Sequence, residues 1–248
     1  MKIEKLADYD HPVVIQKANE LSKNSKSLHE TLKKIFLYVR DEIRFEFPVN
    51  GDLIKASETI VMQKGQCNTK GTLFLALCRA LGIPARMHFS GIRKEIQRGL
   101  FTGISYKLMP DTISHGWIEV EINNVWRRLD SYINDLPFYL NGKEELKKNG
   151  WDTGYSISCS SGESSADFNI EDEHFVQMDA VVEDHGVWDE PSDYFNSNMY
   201  RNRPNAFKLF VYRMVVGKIN QKVETIRKKE RCILCAVEKS AGILNQPV

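Results

Sequence analysis

The 248-residue chain has no apolar run long enough to span a bilayer, and its N-terminus, Met1-Lys2-Ile3-Glu4-Lys5, lacks the apolar stretch of a signal peptide. Net charge is almost absent: 34 Lys or Arg stand against 33 Asp or Glu. So close a balance gives no global attraction to nucleic acid or to a membrane surface, and neither is expected as a partner. Cysteines are few and odd in number, five in all. Without a secretory signal that count predicts reduced thiols and a cytoplasmic protein, not a disulfide framework. The pair Cys232-x-x-Cys235 is half of a zinc site with no second half at the usual spacing; His174 and His185 could complete it only by coincidence of folding. It reads as two helix-borne core cysteines, and no cofactor or metal is expected. What remains is the composition of an ordinary globular protein, long enough to bury a sizeable core.

The stretch with the most chemical content is Lys64-Gly65-Gln66-Cys67-Asn68-Thr69-Lys70-Gly71, which runs into the apolar segment Thr72 to Leu81 before Gly82 and Pro84. A Gly-containing turn delivers Cys67 to the start of a helix, and Gly82 and Pro84 stop that helix. Leu73, Leu77 and Leu81 form one stripe with Phe74 and Cys78 beside it, which predicts a buried helix. A thiol at a helix start lies where free N–H groups and the macrodipole favour negative charge, so its pKa is expected to fall. Cys67 is therefore the candidate nucleophile. A plain cap substitute or a half-buried core cysteine would occupy the same position, so the assignment needs a base and a group to orient it.

Both are supplied downstream. Ser114 to Ile122 alternates like a strand, Asn123-Asn124 tolerates positive φ, and Val125 to Asp130 alternates again, which predicts a hairpin with a two-residue turn. Residues whose numbers sum to 247 then face each other. Ile118, Val120, Ile122, Val125 and Leu129 make a core face, with Arg127 near its edge; His115, Trp117, Trp126, Arg128 and Asp130 share the other. His115 and Asp130 become diagonal neighbours, with backbones roughly 7–8 Å apart, within reach of a carboxylate–imidazole bond. Such a bond fixes the tautomer and frees the second ring nitrogen for a thiol proton. The alternative is that both residues decorate a solvated face, but two Trp on that face argue for cover.

The combination of Gly65-Gln66-Cys67, the run Cys78-Arg79-Ala80-Leu81-Gly82-Ile83-Pro84-Ala85-Arg86, His115-Gly116-Trp117 and Trp126-Arg127-Arg128-Leu129-Asp130 resembles the transglutaminase-like superfamily, with 48 residues from Cys to His and 15 from His to Asp. The resemblance covers roughly residues 28–140. It implies an α+β, papain-like fold in which a nucleophile-bearing helix packs on an antiparallel sheet. It also implies Cys67 as nucleophile, His115 as base and Asp130 as orienting group, with an acyl-enzyme resolved by water or an amine. Eukaryotic transglutaminases place a Trp upstream of the nucleophile, whereas the first Trp here is Trp117, and the calcium-site sequences of the animal enzymes are not recognisable. The Cys67 backbone N–H then supplies one oxyanion donor, and Gln63 or Gln66 the second.

Elsewhere the pattern is plainer. Asp10-His11-Pro12 opens a helix through about Leu21, Ser27-x-x-Glu30 is a capping box before Leu28, Leu32, Ile35, Val39 and Ile43, and Ser57 caps a short helix. Arg86 to Ser90 alternates like a strand with Met87 and Phe89 on one face; His88, on the other, is read as supporting or surface, because His115 has the better-placed carboxylate. Residues 91–114 look like an insertion overhanging the site, and Ser156 to Ser165 like a mobile loop. Glu163 to Asp193 holds eleven Asp or Glu and no Lys or Arg, while Arg201 to Arg231 holds ten Lys or Arg against Glu224 and Glu230. The expectation is that these two segments face each other. Phe207, Phe210, Val211, Met214 and Val215, with Lys218 and Lys222, predict an amphipathic helix laid over the core after Pro204.

The sequence thus predicts a core over residues 1–140 with N-terminal helices, and an extension over 141–248 packed upon it. The activity expected is that of a thiol enzyme acting on an amide or acyl group of a protein or peptide, chiefly by hydrolysis. The alternatives are a non-catalytic peptide-binding member of the same fold, and a nucleic-acid binder using the basic helix.

Overall fold

The computed structural model describes residues 2–229 except 161, 163, 172–174, 202 and 204, so the Cys232–Cys235 pair, His174 and Pro204 lie outside the described residues. Helix α1 (Pro12–Ser22) begins at a proline whose missing N–H costs nothing there; His11, not Asp10, is its cap, accepting the Val13 N–H. Helix α2 (Leu28–Leu37) starts at Ser27, whose hydroxyl accepts the Glu30 N–H at 3.2 Å. It does not run through Ile43 as one α-helix but widens into a π turn over Tyr38–Glu42, which buries Tyr38, Val39 and Arg40. Strand β1 (Arg44–Phe45) leads to α3 (Ala56–Met62). Ser57 is inside that helix rather than at its cap; its hydroxyl donates to Asp8 at 2.6 Å, and Lys55 takes the cap position.

Strand β2 (Lys64–Gly65) pairs parallel with β1 and feeds α4 (Cys67–Ala80) directly. Every residue of α4 from Asn68 to Cys78 is buried, as its nearly unbroken apolar run requires. Leu73, Phe74, Leu75 and Leu77 are fully enclosed, and each such side chain stabilises the fold by about 1.5–3 kcal/mol. Gly82, at φ +67, supplies the left-handed turn that ends this run.

The chain then builds the sheet. Strand β3 (Ala85–Arg93) is followed by a 3₁₀ turn at Lys94–Gln97, the short α5 (Gly103–Lys107), and the hairpin of β4 (Thr112–Ile122) and β5 (Val125–Leu129). Asn123 and Asn124 adopt φ +52 and +62, as a type I′ turn needs, and Ile122 pairs with Val125 and Val120 with Arg127. The expected insertion is shorter than its sequence suggested, since β3 continues through Arg93 and β4 starts at Thr112. Helix α6 (Leu136–Asn149), the small hairpin β6 (Thr153–Gly154) and β7 (Ile157–Ser158), strand β8 (Val181–Trp188), α7 (Pro191–Asn196) and α8 (Ala206–Arg227) complete the order. The sheet runs β5-β4-β3-β8, antiparallel throughout. Met87, Phe89, Ile118, Val120 and Leu129 are buried on its apolar face, where α4 packs: a Cβ on Gly71 of that helix would lie 2.8 Å from Met87. The fold is therefore α+β, with the Cys67 helix packed on an antiparallel sheet.

Three expectations about the later chain change. Ser156 and Ser158 are buried in the β6–β7 hairpin, where Ser158 and Thr153 exchange a hydroxyl hydrogen bond at 3.0 Å. The acidic and basic segments do not face each other broadly: among the described residues only Arg201 and Glu183 join them, at 3.6 Å. Asp167 lies instead near Arg40, Asp184 near His88 and Asp189 near Arg79. In α8, Phe207, Phe210 and Met214 are 61–73 % exposed, while Val216, Ile219, Val223 and Ile226 are buried. Arg227 fixes that rotation by pairing with Asp135 at 2.8 Å, and Asn141 holds the Ile226 carbonyl at 2.9 Å.

Candidate active site

Gly65 and Gln66 set the first turn of α4. A Cβ on Gly65 would lie 2.6 Å from the Thr69 hydroxyl, so only glycine lets β2 pass this closely over the helix. Gln66 is the N-cap: its N–H donates to Thr69 Oγ1 at 2.9 Å, and its Oε1 accepts the Asn68 N–H at 3.2 Å. That same Oε1 takes the Cys67 thiol proton at 2.7 Å, while Nε2 donates to Asp52. The backbone N–H groups of Asn68 and Gly116 also point at the sulfur.

The thiol is nonetheless pushed up, not down. Burial is the largest cause, the charges of Asp52 and Asp130 add to it, and the two N–H donors only partly offset them. The expectation drawn from the helix terminus was incomplete because it counted the donors and the macrodipole but not the desolvation or the acids that tertiary packing brings up. Asp52 is raised as well, by burial, against hydrogen bonds from Asn68, Tyr200 and Gln66.

His115 is fully buried on β4, and neither ring nitrogen has a hydrogen-bond partner among the described residues. Burial alone lowers it to about 3, so the imidazole is neutral. Asp130, just past the end of β5, spends its carboxylate on three backbone N–H groups: Val176 at 2.6 Å, Gln177 at 2.8 Å and Met178 at 3.1 Å. Burial outweighs those bonds and raises it to about 7. The expected carboxylate–imidazole bond is therefore not formed here. The three residues come from α4, β4 and the end of β5, and the Gly116 N–H joins Cys67 to the strand beside His115, but no hydrogen bond links any two of them.

The two oxyanion candidates separate. Gln66 is buried against the thiol, whereas Gln63 is exposed at the left-handed end of α3, where its N–H donates to the Thr59 carbonyl and its carbonyl accepts the Arg44 N–H. Several residues around the thiol were missed: Asp52, Tyr200, whose hydroxyl donates to Asp52 at 3.2 Å, and Asn68. Asn68 adjoins the nucleophile candidate and could have been read as a polar residue buried in the first turn. Asp52 lies fourteen residues upstream of Gln66 and is brought in only by the fold. The better-placed carboxylate was expected at His115, but it is His88 that has two: Nδ1 at 2.8 Å from Glu119 and Nε2 at 2.7 Å from Asp184. Among the described residues no cluster of three or more His, Cys, Asp or Glu could hold a metal ion, and no helix is long and apolar enough to cross a membrane.

Residues 15–131 match the family model of the transglutaminase-like superfamily. No curated protein matches the chain. A crystal structure of a "putative cysteine protease" from Cytophaga hutchinsonii is similar at a TM-score of 0.45 and 15% identity, covering 77% of this chain and 46% of that one. The chain thus spans under half the length of that structure. The family match supports a cysteine enzyme in general terms. The segment matched, residues 15–131, is the part of the chain in which α4 packs on β3 and β4.

Proposed function

We propose that the chain is a thiol enzyme that cleaves an amide or acyl bond of a protein or peptide through an acyl-enzyme on Cys67, with water as the acceptor. The observation that carries this reading is the seat of Cys67: the first residue of α4, with the Asn68 and Gly116 N–H groups on its sulfur.

With thiol and imidazole both neutral at rest, the proton leaves sulfur as the C–S bond forms, and His115, in the form able to accept, takes it. The two N–H groups stabilise the sulfur while it carries charge. As the C–N bond breaks, His115 returns the proton to the leaving amine. Water then attacks the thioester, again giving its proton to His115, and the carboxylic product leaves with the thiol restored. The Cys67 N–H serves as one oxyanion donor, and Gln66 is preferred over Gln63 as the second by its place beside the sulfur; its Nε2 turns from Asp52 to do so. Asp130 acts as orienting group by exchanging backbone donors for the imidazole when substrate opens the site.

The absence of a hydrogen bond between any two of these residues, together with the raised thiol, favours one second reading, a peptide-binding module without turnover. Mass spectrometry with a panel of peptide thioesters and amides separates the two. A transient acyl adduct on Cys67, absent in Cys67→Ala and longer-lived or lost in His115→Ala, supports the enzyme. The enzyme reading fails if no donor acylates Cys67 and iodoacetamide labels it no faster than Cys78 or Cys159 at any pH.

A further inference from the structure

Beside the Cys67 turn lies a cavity of about 220 Å³ that the chemistry above does not use. The sheet register opens it. Ser114 on β4, Gly91 on β3 and Glu183 on β8 lie in one row across the strands. A Cβ at Gly91 would lie 2.4 Å from Thr112 Cγ2, 3.0 Å from Glu183 Cβ and 3.2 Å from its Oε2, so only glycine lets Thr112 and Glu183 close over this point of the cavity floor. Tyr194 and His185 form the back wall, and Arg201 is at the rim.

The wall is a continuous chain of hydrogen bonds. Asn68, the neighbour of Cys67, donates to Ser114 Oγ at 3.5 Å, and Ser114 meets the Tyr194 hydroxyl at 3.3 Å. Tyr194 meets His185 Nδ1 at 3.0 Å, and His185 Nε2 meets Glu183 Oε2 at 3.1 Å. A carboxylate only accepts, so His185 Nε2 carries a proton toward Glu183 Oε2, and Ser114, Tyr194 and His185 Nδ1 are joined through hydroxyl hydrogen bonds. The acceptor left facing the cavity is Glu183 Oε1, which no hydrogen bond reaches among the described residues. Arg201 does not satisfy Glu183: it stands 3.6 Å away, 69 % exposed, in a pair that water makes weak. An occupant must bring donors, and a volume of this size holds one side chain, not a folded segment.

We infer that this cavity is a specificity subsite that takes a lysine-type side chain of the substrate flanking the bond attacked at Cys67, with its ammonium on Glu183. The assignment rests on the thiol-enzyme reading for the word substrate, but the binding itself does not. The test uses Cys67→Ala protein, which cannot turn over, titrated by calorimetry with Nα-acetyl-lysine amide and with the isosteric Nα-acetyl-norleucine amide. Saturable binding of the lysine probe, at least tenfold weaker for norleucine and weakened at least tenfold by Glu183→Gln, is the expected result. Equal binding of the two probes, no binding of the lysine probe, or no effect of Glu183→Gln overturns the assignment. Glu183→Gln is nearly isosteric, so its effect reads the loss of charge and not a change of packing. Wild-type kcat/KM for peptides with lysine against norleucine beside the cleaved bond then places the subsite. Probe binding without Cys67-dependent cleavage would leave the pocket standing and remove the enzyme reading alone.

Discussion

His88 and His115 stand on neighbouring strands and, by the alternation of side chains, on one face of the same sheet, yet the fold treats them in opposite ways. Burial works to lower His88, but Glu119 on one ring nitrogen and Asp184 on the other outweigh it, and the ring is raised. Trp117 stacks on it at 4.2 Å, and the ring, held toward its charged form, bridges β3 to β4 and β8. His115, two residues before Trp117, has no such partners, and burial alone brings it down to about 3. A ring held between two carboxylates is a fixed charge with both nitrogens spoken for. A ring without partners stays neutral and can take a proton. The comparison teaches that a carboxylate beside a histidine need not mark the base; here it marks a structural bridge.

Exchanging their loads is the sharpest way to break this comparison. His115→Ala is expected to lower the turnover of Cys67-dependent peptide cleavage about 10²- to 10⁴-fold, whereas His88→Gln changes it less than threefold. A steady-state assay on both variants checks this, and the reverse order would make His88 the base.

The second effect is smaller and falls on stability. Because His88 is raised in the folded state above its ordinary value of about 6.5, its contribution is fully present below pH 6.5 and is lost as pH rises through the folded value. His88→Gln should therefore cost about 2 kcal/mol at pH 5.5, a fall in Tm of roughly 4–8 °C, and much less at pH 9. Thermal denaturation at the two pH values reads the difference. A loss that grows with pH would contradict a ring held toward its charged form.

The backbone around these histidines was legible from local patterns. Strand alternation and an Asn-Asn turn fixed the β4–β5 register, because one buried face tolerates no slip of a single residue. Gly65 and Gln66 before an apolar run located the start of α4. The electrostatics were not legible, because they come from residues far apart in sequence. Asp184 reaches His88 from 96 residues away, and Val176 to Met178 claim Asp130 from 46 to 48 away. Asp52 adds a charge to the thiol through a turn whose sequence signals only a turn. The apolar stripe at the start of α8 misled for a related reason: the helix is rotated by Arg227 on Asp135, an ion pair that periodicity does not contain.

The third effect is one in which two buried groups oppose each other, so that little of it shows in the wild type. His115 is depressed to about 3, so its contribution is present above its unfolded value near 6.5 and is lost as pH falls toward 3. Asp130 is raised to about 7, so its contribution is present below its unfolded value near 3.9 and is lost as pH rises through 7. Each proton carries a slope of at most about 1.4 kcal/mol per pH unit, and between roughly pH 4 and 6.5 the two slopes have opposite sign. In the wild type they nearly cancel. Removing either group should uncover the other: relative to wild type, His115→Asn loses stability as pH rises across that interval, and Asp130→Asn gains it. Denaturant titrations at half-unit steps measure both differences. Slopes of the same sign, or none in either variant, would mean that the two groups are not both buried in their neutral forms, and the contrast between a neutral His115 and a His88 held toward its charged form would lose its physical basis.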